Sequence, residues 1–151
     1  MKRSATGNPA LMTLIAQIHL TWKRHLERAL VGEEITLKQF HLLVQLEECA
    51  YLHPAQVAEQ LFCDRPTASV ILRNMEKRGW ISRTPDPLNR RQVRIRLLAA
   101  GRRKLSHVRK LPALQARFDF DPCGGMSKKD GLALEAQLEE LKSRLESEAQ
   151  R

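Results

Sequence analysis

Apolar residues recur along most of this chain at the spacing of a helix, with one short interval of strict alternation. Residues 1–8 read as a loose polar start. From Pro9 to about Leu30 the apolar positions are Leu11, Leu14, Ile15, Ile18, Trp22, Leu26, Ala29 and Leu30. This is one stripe of an amphipathic helix, and Gly32 closes it. A second helix is expected from about Leu37 to Cys49, with Thr36 as its N-cap and Phe40, Leu43, Val44 and Leu46 as its buried side. A third, short helix starts at Pro54, where proline suits the first turn, and buries Val57, Ala58 and Leu61. Asp64 caps a fourth, with Pro66 in its first turn, Ala68, Ile71, Leu72 and Met75 inward, and Gly79 at its end.

The period then changes. Trp80 to Thr84 and Gln92 to Leu97 read as two strands around the turn Pro85-Asp86-Pro87-Leu88-Asn89. In the second, Val93, Ile95 and Leu97 alternate with Gln92, Arg94 and Arg96, so the arginines are expected to face outward. Helical spacing returns from Ala99 to about Phe118, with Pro112 expected to kink or break it. Residues 119–126 form a connector, and Ser127 with Asp130 resembles a capping box. The last helix carries Leu134, Leu138, Leu141 and Leu145, the spacing of a helix–helix seam.

Charge sharpens this outline. The chain has 151 residues and a formal net charge of +9. Residues 65–110 hold 14 basic side chains against two acidic ones, Glu76 and Asp86, whereas the flanks are slightly acidic. A block this cationic releases counterions when it neutralises phosphates, so a polyanion is its natural partner. The order helix, turn, helix, basic hairpin is that of a winged helix-turn-helix, in which the second helix enters the major groove and the hairpin reaches the backbone or minor groove. The expected class is mainly α (α+β), a winged helix-turn-helix lobe over residues 36–100 between an N-terminal helix (1–35) and a linker helix plus C-terminal helix (101–151), the terminal helices being the dimerisation elements that the family resemblance described below implies.

The stripe opposite the buried side of the fourth helix holds Arg65, Thr67, Ser69, Val70, Arg73, Asn74 and Lys77. Arg73 and Arg65 are the candidates for guanine O6/N7, while Thr67 and Ser69 are placed to meet a phosphate or a base. Asn74 and Lys77 complete the DNA face. Arg90 and Arg91 sit at the hairpin tip, and His53 and Gln56 could serve a phosphate at the start of the third helix, or His53 could simply cap it. Trp22 and His25 are candidates for an effector pocket.

Other classes find less support. No GxSxG, HExxH, P-loop or GxGxxG motif occurs, so no enzyme and no cofactor is expected. The five histidines and three cysteines lack metal-ligand spacing, so no metal is expected. No run of 18 apolar residues is present, so no membrane partner is expected. Odd, scattered cysteines (Cys49, Cys63, Cys123) point to a reduced, cytoplasmic setting.

At this point the chain resembles the MarR family of bacterial transcription regulators. The resemblance is carried by Leu61-Phe62-Cys63-Asp64, by Thr67 through Ile81, by Arg83, by the hairpin Asp86-Pro87-Leu88-Asn89-Arg90-Arg91, and by Leu97 to Gly101. It implies a homodimer with interlocked terminal helices, bound to a pseudo-palindromic DNA duplex as a repressor. It also implies release by a small organic ligand, or in some members by cysteine oxidation. Arg91 matches the arginine that enters the minor groove. Two positions depart from the pattern: Asn89 stands where an Asp usually braces that arginine, and Leu98 where a Thr usually caps the next helix. The departures leave a second reading open, a winged-helix protein-interaction module that no longer reads DNA.

Overall fold

The structure is a computed structural model and describes residues 9–118 and 124–149. The expected polar start and Cys123 lie outside the described residues. The elements are α1 (Pro9–Ala29), α2 (Leu37–Glu48), α3 (Pro54–Gln60), α4 (Arg65–Lys77), β1 (Ile81–Pro85), β2 (Val93–Leu97), α5 (Ala99–Arg109), α6 (Pro112–Phe118) and α7 (Lys128–Ala149). Helices dominate, with one two-stranded antiparallel sheet. No helix among the described residues is long and apolar enough to cross a membrane.

Local chemistry explains the boundaries. Thr36 Oγ1 accepts from the Gln39 amide at 3.2 Å, and Gln39 Oε1 accepts from the Thr36 amide at 3.0 Å, a closed capping box that starts α2. Pro112 breaks the fifth helical stretch, as expected, into α5 and α6. Leu98 stands at the N-cap of α5 without a side-chain bond, so that end is uncapped. Its amide instead donates to the Trp80 carbonyl at 2.9 Å.

The first unit of the chain ends within α6, at Arg117, and its core is built from α2, α3, α4, α5 and the sheet. Leu42, Leu43, Leu46, Val57, Leu72, Met75, Ile81 and Ile95 are fully buried there. Truncating any of these leucines would remove transfer energy and leave a cavity, about 2–5 kcal/mol each. α1 meets this core through its C-terminal half, at Trp22, Leu26 and Ala29, with Leu30 just beyond it, while Leu11, Leu14 and Ile18 of its apolar stripe are exposed.

The sheet pairs Ile81 with Leu97 and Pro85 with Val93 at its two ends. Both strands begin one residue later than expected. Leu52, just before α3, adds a single bridge to the other side of β2: its amide donates to the Ile95 carbonyl at 3.0 Å and its carbonyl accepts from the Ile95 amide at 2.8 Å. The root of the hairpin is therefore tied to the residues that start α3.

The second unit contains α7. Ser127 Oγ accepts from the Asp130 amide at 3.2 Å and donates to its carboxylate at 2.7 Å, so the cap is present in a variant form. Leu134, Leu138 and Leu145 are exposed along α7.

Candidate nucleic-acid interface

The turn between α3 and α4 is tight. Phe62 has φ +47°, a left-handed conformation uncommon for a side chain of that size, and the Cys63 amide donates to Ala58 O at 3.0 Å. Asp64 then accepts from the Thr67 amide at 2.8 Å and starts α4. Hydrogen bonds from the Thr67 hydroxyl and amide hold the Asp64 carboxyl below the usual carboxylate range, so the cap is ionised. At the other end Gly79 takes φ +68°, its amide donates to Glu76 O at 2.9 Å, and the Trp80 amide donates to Met75 O at 3.0 Å. These two bonds form a Schellman motif and turn the chain directly into β1.

Between these ends α4 has two faces. Ala68, Leu72 and Met75 are buried, while Arg65, Thr67, Arg73, Asn74 and Lys77 are exposed and Ser69 is half-buried. None of the exposed cations on this face is neutralised by an ion pair within the described residues; Arg83 of β1 takes Glu76 at 3.7 Å. The helix therefore presents cations, hydroxyls and an amide on one side and is held by apolar packing on the other.

At the hairpin tip Arg90 and Arg91 are both exposed. The Asp86 amide donates to Gln92 O at 2.9 Å and the Gln92 amide to Asn89 O at 2.8 Å, which closes the turn. Asn89 Oδ1 accepts from the Arg91 amide at 3.2 Å. Asn89 thus supports the backbone at Arg91 with a neutral bond rather than an ionic one to its side chain.

A cleft opens between α3, α4 and the hairpin, lined in part by Arg65, Ser69, Arg83, Arg91 and Gln92 over a floor that includes Ala68, Leu72 and Val93. Three guanidinium groups border one concavity with no carboxylate among its lining residues. Arg83 and Gln92 were not among the candidates. The period-2 pattern of the strands held the signal for Gln92, but only the pairing of β1 with β2 carries Arg83 to the same opening.

Two expectations are corrected. Arg94 does not face outward: its Nη2 donates to Asp86 Oδ1 at 2.8 Å and its guanidinium stacks over Tyr51 at 4.2 Å. The buried Asp86 carboxylate draws it in. His53 is not free to meet a phosphate either, because Nδ1 bonds Val93 O at 2.9 Å and Nε2 faces Asp86 Oδ2 at 3.5 Å. Gln56 spends its carbonyl oxygen on the His53 amide at 2.8 Å, which leaves its amide nitrogen exposed at the start of α3.

Trp22 and His25 lie half-buried on α1 and are not among the residues lining this cleft, and His25 Nδ1 is buried without a hydrogen-bond partner among the described residues. Burial pushes the Cys49 thiol above its usual range, which disfavours the thiolate that oxidation requires. Cys63 is half-buried in the α3–α4 turn.

Several solved structures share this fold. MepR of S. aureus in its DNA-binding conformation is 24% identical over 89% of this chain and 98% of its own, with a TM-score of 0.76. A mutant MarR from E. coli complexed with operator DNA is 22% identical over 87% and 93%, with a TM-score of 0.71. BpsR of Bordetella bronchiseptica, whose DNA binding is regulated by 6-hydroxynicotinic acid, is 17% identical over 88% and 98%, with a TM-score of 0.70. No curated protein matches the sequence. Residues 35–93 match the family model described as the MarR family, a span that runs from α2 to the first residue of β2 and contains the helix-turn-helix and the hairpin tip. That segment, which holds the winged helix-turn-helix, is the part of this chain that matches the MarR family.

Proposed function

We propose that this chain is a sequence-specific, DNA-binding regulator of transcription, acting as a homodimer in the cytoplasm and repressing until a small organic ligand releases it. The observation that carries the reading is the two-sided α4 beside a cationic hairpin: Arg65, Thr67, Arg73, Asn74 and Lys77 exposed on one side, Arg90 and Arg91 exposed at the tip. A helix with that division fits a major groove, and an arginine on a projecting turn fits the narrower groove next to it. Arg73 and Arg65 read base edges, Thr67, Asn74 and Ser69 add hydrogen bonds, and Lys77 and Arg90 meet phosphates. Gln56 reaches a phosphate through its free amide nitrogen, and His53 serves instead as a brace.

The operator complex of E. coli MarR and the DNA-binding conformation of MepR support the DNA reading, and the 6-hydroxynicotinic acid response of BpsR supports a small organic effector. Trp22 and His25 are the proposed effector contacts, since the buried His25 Nδ1 has no hydrogen-bond partner among the described residues and a rearrangement that admitted a ligand could supply one. Two subunits would place their α4 helices on half-sites about one helical turn, roughly 10 bp, apart. No chemical transformation is part of the proposed activity.

The test is retention of genomic fragments followed by titration of the retained duplexes. Binding to them is expected to exceed binding to bulk DNA by about 10³-fold or more, and to fall steeply with salt. Arg73→Ala is expected to cost about 1–3 kcal/mol and relax specificity, whereas Arg91→Ala weakens binding and lowers the salt slope by about one. Equal affinity for all fragments, or an Arg91→Ala protein that binds like the parent, overturns the reading.

A further inference from the structure

Among the described residues of the first unit, the charged group best shielded from water has no part in the DNA face. The Asp86 side chain is 5% exposed, and its Oδ1 accepts from both Arg94 Nη2 and the Leu88 amide at 2.8 Å. Its other oxygen faces His53 Nε2 at 3.5 Å. Arg94 and His53, 12% and 22% exposed, both lean on Tyr51, the first by cation–π contact at 4.2 Å and the second edge-on at 5.3 Å between ring centroids. His53 also holds Val93 O, and Leu52 bridges Ile95. One carboxylate thus gathers the residues before α3, the root of β2 and the start of the hairpin turn.

We propose that Asp86 is a positioning residue for DNA recognition: it fixes the hairpin to α3, and thereby sets where Arg91 stands relative to α4. This rests on the DNA-binding reading above. Leu88 to Arg91 are exposed, and the tip's own bonds, Asn89 Oδ1 to the Arg91 amide and Asn89 O to the Gln92 amide, shape the turn without aiming it. Direction comes from the root. α3 packs on α4, so whatever locks the root to α3 locks the tip to the groove-facing helix. Apolar packing could hold the root as firmly, but hydrogen bonds are directional and constrain the angle as well, a reason to keep buried ions that are otherwise costly. The cluster spends stability on geometry.

The test compares Asp86→Asn, Arg91→Ala and the double variant by duplex titration, with hydrogen exchange of the free proteins beside it. Asp86→Asn is expected to weaken binding about tenfold, to lower the salt slope by about one as Arg91→Ala does, and to add little to Arg91→Ala in the double variant. Without DNA, it speeds exchange at the Leu88 and Arg91 amides. Additive losses, or unchanged exchange at those amides, overturn the proposal. If Asp86→Asn does not fold, His53→Asn keeps a good N-cap residue while removing the bridge, and a several-fold loss coupled to Arg91 is expected. If the parent binds no duplex selectively, the function has failed, and the exchange result still decides whether Asp86 anchors the hairpin.

Discussion

At the scale of single residues, position in space outweighs residue type. Arg94 and Arg91 carry the same group three positions apart, yet one is folded onto Tyr51 and Asp86 and the other is exposed at the tip. Alternation alone assigned Arg94 to the outside, because period 2 has no knowledge of a carboxylate across the turn. Gly101 shows the same dependence. A Cβ there would lie 2.3 Å from the Trp80 carbonyl oxygen and 2.7 Å from Leu97 Cδ1, so α5 can approach the sheet only where no side chain intervenes. Gly101→Ala is expected to cost about 2 kcal/mol through forced backbone displacement, a fall of several degrees in Tm at matched protein concentration. An unchanged Tm would mean that the approach is looser than the geometry indicates.

At the scale of elements, boundaries were the most legible feature and hairpin attachment the least. Thr36, Pro54, Asp64, Gly79 and Pro112 each act through neighbours within a few residues, so local chemistry sufficed to place them. The joining of Leu52, His53 and Tyr51 to the hairpin spans some 40 residues of sequence and left no periodic trace. It does leave a pH signature. The hydrogen bond from Arg94, the largest influence, holds the Asp86 carboxyl below the usual carboxylate range against the opposing effect of burial. The stability it contributes is present above the ordinary aspartate pKa, about 4, and is lost as pH falls through the lowered folded value. In denaturant titrations, the stability difference between the parent and Asp86→Asn is expected to hold constant from about pH 7 to 5 and to shrink below about 4. A gap that closed between pH 7 and 5 would assign the effect to another group.

At the scale of the whole molecule, the apolar surface left bare on one chain is the informative feature. Ile18 on α1 is 60% exposed and Leu138 on α7 is 42% exposed, each within a row of similar residues. Such rows are costly in water and mark an interface. In the proposed dimer a second copy covers them, and the two α4 helices are held at a separation that a duplex can meet. Ile18→Asp and Leu138→Asp are each expected to shift the protein towards monomer in sedimentation velocity and to abolish tight operator binding. A parent protein that sediments as a monomer at micromolar concentration would remove the basis for that arrangement.

The sequence by itself determined the helices, their caps, the break at Pro112, the basic hairpin and the polar side of α4. All of these follow from periodicity and from contacts a few residues long. Tertiary structure decided which of the cations face solvent and which are consumed internally, and it decided that His53 braces the hairpin. It also brought Arg83 to the cleft. Those outcomes depend on where a distant carboxylate or a paired strand lies once the chain has closed, and no local pattern encodes that distance.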